Sequence, residues 1–210
     1  MEKDSDPSLG AAYALETPED SVRLYASWAE SYDSDFAQSS DYILPQQVAR
    51  VFAEEGGAGP VLDIGAGTGL LAEALAHTGI GPLDATDISQ EMLDVAEIKG
   101  LYRGLFTGDL TERLPVEDGS FQGIVSSGTF THGHVGPDAF DELLRITASG
   151  GLLCLSINAE HYQAQGFAAK LDALAAQITD LKLPQLPIYG AQSTSDHKDD
   201  LAVIASFRKA

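Results

Sequence analysis

The chain has 210 residues, 44% of them hydrophobic, one cysteine and a formal net charge of -20 from 32 acidic against 12 basic residues. That length supports one sizeable core and a single domain, and the acidity argues against nucleic acid and anionic membrane surfaces as partners. The lone cysteine, Cys154, excludes an internal disulfide, and no apolar run reaches membrane-spanning or signal-peptide length, so a soluble cytoplasmic protein is expected.

Residues 1–16 mix polar and small apolar side chains without a period and are expected to form a mobile arm. Thr17-Pro18-Glu19-Asp20 then supplies an N-cap, a first-turn proline and two acids, the pattern of a helix start. Val22, Tyr25, Ala29 and Tyr32 share one face of that helix, with Trp28 beside them. A second helix is predicted over 43–55, with Leu44, Val48 and Phe52 at four-residue spacing, and the glycine-rich run 56–60 ends it.

From residue 61 strand and helix signals alternate. Strands are predicted over 61–64, 83–87, 104–107, 121–126 and 151–157, and helices over 70–77, 90–99 behind the N-cap Ser89, and 137–147. Such alternation implies an α/β fold, a doubly wound, mostly parallel sheet covered on both faces. The end of the chain differs. After a helical stretch over 167–181, strands over 188–194 and 201–208 flank the charged turn 196–200 and predict an antiparallel C-terminal hairpin at the sheet edge.

The chemistry concentrates in Val61-Leu62-Asp63-Ile64-Gly65-Ala66-Gly67-Thr68-Gly69-Leu70. A strand that enters a glycine turn and then a helix lets backbone approach a nucleotide-like ligand. A nicotinamide or flavin fingerprint would place a third glycine or alanine where Leu70 stands, which disfavours an oxidoreductase. The spacing D-x-G-x-G-x-G, with Asp63 at the strand end, resembles instead the first motif of the class I, Rossmann-like S-adenosylmethionine-dependent methyltransferases. Further segments match that family in order. Asp87 ends the next strand, Gly108-Asp109-Leu110 follows the third, and Tyr25-Ala26-Ser27-Trp28-Ala29-Glu30-Ser31-Tyr32-Asp33 resembles the aromatic segment that precedes the core in many small-molecule methyltransferases. Gln122 departs from the Ser-Phe-Asp usual before the fourth strand.

The resemblance implies seven strands in the order 3-2-1-4-5-7-6, with S-adenosylmethionine as cofactor and S-adenosylhomocysteine as product. It also implies cofactor roles for Gly65, Ala66, Gly67 and Gly69 as clearance, and for Asp63 toward the cationic amino group. Asp87 would take the ribose diol, Ile88 and Met92 would border the adenine, and Asp109, with Gly108 and Leu110, would meet its amine. Ser126 ends the fourth strand beside the ligand, and Tyr25, Trp28 and Tyr32 form a cover. On this reading residues 17–55 are an N-terminal helical lid and 56–210 the α/β core. Alternatives remain for single residues: Asp87 and Asp109 also suit a helix cap and a turn, and the aromatic stripe suits plain core packing.

Acceptor-side residues should lie beyond the strand ends, where 126–136 carries His132 and His134. Either has an ordinary pKa near ~6.5, suited to a general base, and His134, farther into the loop, is the favoured catalytic candidate. Both also suit plain loop hydrogen bonding. His161 and Tyr162, after Asn158, form a second candidate wall. Two histidines two residues apart without a third ligand do not suggest a metal. Ser126-Ser127-Gly128-Thr129 lacks the Asn/Asp-Pro-Pro-aromatic motif of amino-methylating DNA and protein-glutamine enzymes, and Cys154 sits in an apolar run unlike a nucleophile. Methyl transfer to an oxygen or nitrogen of a small molecule is the expectation, with a cofactor-binding sensor or scaffold as the non-enzyme alternative.

Overall fold

The computed structural model describes residues 23–24, 28–29, 31–131 and 135–210. Tyr25, His132 and His134 fall outside them. A π-helical turn (Tyr32–Gln38) leads into α1 (Leu44–Glu54), β1 (Val61–Ile64), α2 (Leu70–Ala76), β2 (Leu83–Asp87), α3 (Gln90–Ile98) and β3 (Gly104–Thr107). The chain continues through β4 (Phe121–Phe130), α4 (Ala139–Ile146), β5 (Thr147–Asn158), α5 (Ala159–Ala164), α6 (Phe167–Ala173), β6 (Ile178–Lys182), β7 (Gln185–Pro187) and β8 (Leu201–Lys209).

The strands form one sheet in the order β3-β2-β1-β4-β5-β8-β6, with β7 also paired to β8. Every pairing from β3 to β5 is parallel, and β8 runs antiparallel to β5, β6 and β7. This is the expected topology, with the penultimate strand broken in two. β1 is central and buried along its whole length. The chain winds outward from it in both directions, and that reversal opens a crevice beyond its carboxyl end.

Alternation along each strand feeds two layers. Leu62, Ile64, Ile124, Leu153 and Leu155 face a core completed by Phe130, Phe140, Phe167 and Phe207. Val61, Val125, Leu152 and Cys154 face the opposite core, which α1 covers with Leu44, Val48 and Phe52. Each such large side chain, fully buried, contributes about 1.5–3 kcal/mol. The expected cap on α3 is present, the Ser89 hydroxyl accepting from the Met92 amide at 3.3 Å.

The C-terminal region departs from the sequence expectation in two places. The helix expected to reach residue 181 stops at Ala173, because Ile178 and Thr179 are β-branched, fit a strand better, and pair with Lys209 and Arg208. The hairpin partner of β8 is therefore β6–β7, and not residues 188–194. Tyr189 makes only an isolated bridge with Tyr42. Among the described residues no helix is long and apolar enough to cross a membrane.

Candidate functional site

The three glycines of the loop after β1 all have positive φ, at 62°, 54° and 88°, but they face different neighbours. A side chain at Gly65 would overlap the Thr129 hydroxyl at the end of β4. One at Gly69 would press on the Tyr102 ring, 3.1 Å from its Cε2. Only Gly67 of the three has no atom of the described residues within 4 Å of where its Cβ would lie. Two glycines thus let protein segments cross, and the middle one leaves the loop bare toward a ligand. The Ala66 amide donates to the Thr86 carbonyl at 3.1 Å, which ties the loop to β2.

Two acids lie against this loop. Asp87, partly buried at the end of β2, accepts from the Gly67 amide on Oδ2 at 2.8 Å and from the Ser89 amide on Oδ1 at 2.9 Å. Burial raises its pKa against the pull of these amides. Each oxygen keeps a further lone pair for an outside donor. Asp63 is 1% exposed, and its Oδ2 accepts from the Tyr102 hydroxyl at 2.6 Å while its Oδ1 has no hydrogen-bond partner among the described residues. Burial first, and then the nearby Asp87, push Asp63 up to about 7 against the pull of Tyr102.

The other predicted residues are placed unevenly around this centre. Ile88 is partly buried, and Met92 and Leu110 are buried. Gly108 sits where a side chain would press on Leu114 Cδ2 and Thr86 Oγ1, at 2.6 and 2.7 Å. Asp109 closes a local turn, its Oδ1 accepting from the Thr111 amide at 2.8 Å and hydroxyl at 2.7 Å. Ser126 is fully buried, and its hydroxyl reaches the Ile64 carbonyl at 2.9 Å, beside Thr129 at 3.1 Å from the same carbonyl. Those two hydroxyls lock the end of β4 to β1.

The N-terminal segment reaches the loop through residues whose contacts the sequence did not disclose. Asp33 accepts from the Thr68 hydroxyl at 2.5 Å and from Lys99 Nζ at 2.6 Å, and Lys99 also pairs with Glu73 at 2.9 Å. Trp28 is fully buried and Tyr32 partly so. Along β4, the Tyr42 hydroxyl stands 3.4 Å from the Ser127 hydroxyl and 2.7 Å from where a Cβ on Gly128 would lie. Burial pushes Tyr42 up to about 12, so it stays protonated at neutral pH. His161 is buried, its Nε2 3.2 Å from the Val135 carbonyl and its ring 5.3 Å from Phe167. It braces the loop's return from inside, and Tyr162 stacks on the same phenylalanine. Cys154 is buried, and its thiol is raised far above its ordinary range.

A family profile described as "Methyltransferase domain" matches residues 62–155. Methyltransferase-like protein 27 of Homo sapiens is 32% identical over 172 residues, which cover 78% of this chain and 69% of that protein. Among solved structures, the [4+2]-cyclase SpnF superposes with a TM-score of 0.69 at 16% identity, over 93% of this chain and 97% of its own. A TehB-like S-adenosylmethionine-dependent methyltransferase from Corynebacterium glutamicum gives 0.61 at 20% identity, over 90% of this chain and 99% of its own.

Proposed function

Because the chain belongs to the class I S-adenosylmethionine-dependent methyltransferases, we propose that it transfers the donor's methyl group to an oxygen or nitrogen of a small-molecule acceptor. One observation carries the reading of the site. Asp87 holds the amide of the open Gly67, and the neighbouring Asp63 keeps a buried oxygen that has no partner among the described residues, a cradle that suits a cationic, hydroxyl-rich ligand. When bound, the donor supplies a methyl already activated on a sulfonium.

The chain's own residues then bind and orient. Asp87 offers its remaining lone pairs to the ribose diol, and Asp63 faces the amino group. Ile88, Met92 and Leu110 border the adenine, with Asp109 near its amine. Trp28 and Tyr32, together with Tyr25, cover the donor and exclude water. The lid belongs to residues before α1, since α1 itself is packed into the core through Val48 and Phe52. The acceptor sits beyond the carboxyl end of β1 near Tyr42 and Ser127, and His132 and His134, which follow β4 in sequence, are the proposed bases. A net charge of -20 weighs against a polyanionic acceptor.

The test is methyl-labelled donor incubated with a whole-cell extract that is then split by ultrafiltration. Label is expected in the small-molecule filtrate. Label confined to retained protein or nucleic acid would refute a small acceptor, and tight donor binding without transfer would favour a sensor. With the acceptor in hand and the donor saturating, His134→Ala should lower turnover about a hundredfold, remove the acidic limb of the turnover profile and leave donor affinity unchanged. Full activity in that variant would remove the base from the scheme.

A further inference from the structure

We propose that Tyr102 is a positioning residue for the donor, holding one oxygen of Asp63 so that the other is presented, ionised, to the donor's α-ammonium. The proposal rests on the reading of the site given above. Tyr102 lies in the connection between α3 and β3, outside every motif that marks the site in the sequence. Its ring fills the space beside Gly69, and its hydroxyl spans 39 residues of sequence to reach Asp63 Oδ2 at 2.6 Å. A single side chain therefore supports both the loop backbone and the acid beneath it.

The charges around Asp63 make this contact matter. From β2 comes Asp87, which opposes ionisation of Asp63. From α2 comes Glu73, which bears on Tyr102. Two cations of this region are committed elsewhere: Lys99 pairs with Asp33 and Glu73, and Arg103, next in sequence to Tyr102, pairs with Asp84. Tyr102 is the one group that favours the carboxylate, because a hydroxyl donating to an ionised oxygen stabilises the ion. Its own proton is secure, since burial and the adjacent acids raise its pKa well above the ordinary tyrosine value. Without that donor Asp63 would hold its proton at neutral pH and meet the ammonium as a neutral acid.

The consequence is a pH-dependent affinity whose midpoint Tyr102 sets. If binding requires the carboxylate, affinity is full above the pKa of Asp63 in the free protein and is lost as pH falls through it. With that value at about 7, S-adenosylmethionine should bind about tenfold more weakly at pH 6 than at pH 8. Tyr102→Phe keeps the ring against Gly69 and removes the hydroxyl. Its acidic limb should move up by about one to two pH units, with affinity at pH 7 down about tenfold. The ligand's own amine titrates alike against both proteins, so the difference between the two profiles belongs to the site.

The experiment is calorimetric titration of wild type and Tyr102→Phe from pH 5.5 to 9 with S-adenosylmethionine and with 5′-methylthioadenosine, which lacks the amino-acid end. A shifted limb for the first ligand and none for the second, with both proteins folded throughout the titration, is the result expected. Coincident profiles for the two proteins would overturn the proposal and leave Tyr102 as packing. A limb of equal size with methylthioadenosine would also overturn it and assign the titration to Asp87 at the ribose. Failure of either ligand to bind wild type at any pH would overturn the underlying reading of the site instead.

Discussion

Asp63 and Glu142 are both acids at the margin of a core, and they are treated in opposite ways. On α4, Glu142 receives Arg145 on both oxygens, Nη2 at 2.6 Å and Nε at 2.7 Å, together with the Leu114 amide at 2.8 Å. Its pKa is lowered, first by the bonds from Arg145. The same half of the molecule carries the aromatic cluster, in which Phe140 lies 5.7 Å from both Phe130 and Phe167 and 6.0 Å from Phe207. Beside β1, Asp63 has one hydroxyl donor, no cation and a pKa driven upward. The first region is complete within the chain. The second has no ion pair on Asp63 or Asp87 among the described residues, which is how a site that suits a cation differs from a structural ion pair.

The contrast can be broken experimentally, starting with the largest effect. Phe140→Ala should cost about 3–5 kcal/mol of stability, read by denaturant unfolding, because three ring contacts are lost together. Donor affinity measured below the melting transition should be unchanged, and a fall in affinity would mean that the two regions are coupled.

A sharper comparison pairs Asp63→Asn with Glu142→Gln. The folded pKa of Asp63 is raised, so its ionisation costs stability as pH rises through about 7, and no cost remains below the unfolded value of about 3.9. Asp63→Asn should therefore stabilise the free protein by about 1–3 kcal/mol at pH 8 while weakening donor binding. Glu142 has the reverse sign. Its folded pKa is depressed, so its contribution is present above about pH 4 and lost as pH falls further. Glu142→Gln should destabilise at pH 7, and melting curves that move in the same direction for both variants would erase the distinction.

The smallest effect concerns the tie between the N-terminal segment and the loop. Lys99→Met should loosen Asp33 by about 0.5–1 kcal/mol, seen as faster amide exchange over Tyr32–Gln38 and a weakened response of that exchange to salt. Equal exchange in the two proteins would show that the Thr68 hydroxyl holds Asp33 alone.

Much of the fold was legible because strand alternation, the capped α3 and the glycine loop each constrain a few consecutive residues. Asp63 and Asp87 were legible for the same reason, since each ends a strand. What the sequence concealed depends on segments far apart in the chain. Gly65, Gly67 and Gly69 look equivalent in a motif, yet two of them clear Thr129 and Tyr102 and one clears nothing. Tyr102 reads as a connector residue, and only the return of the chain past α3 sets it under the loop. Ser126 was expected to end the fourth strand, but β4 runs on to Phe130 and the Ser126 hydroxyl is spent on the Ile64 carbonyl. The edge of the sheet was misplaced because 167–181 carries an apolar period that continues past the point where β-branched residues take over.

The broken strand at that edge bears on how the protein behaves in crowded solution. An unpaired strand offers its amides and carbonyls to any other chain that can lie alongside. Here Asp180 adopts φ 56° within β6, the pairing to β8 shifts register between Thr179 and Lys182, and Pro184 divides β6 from β7. A second chain would have to match a kink, a missing amide and a divided ladder within ten residues. Leu181 and Leu183 are 40% exposed there, and the irregular backbone keeps that apolar surface from becoming a template for growth from molecule to molecule.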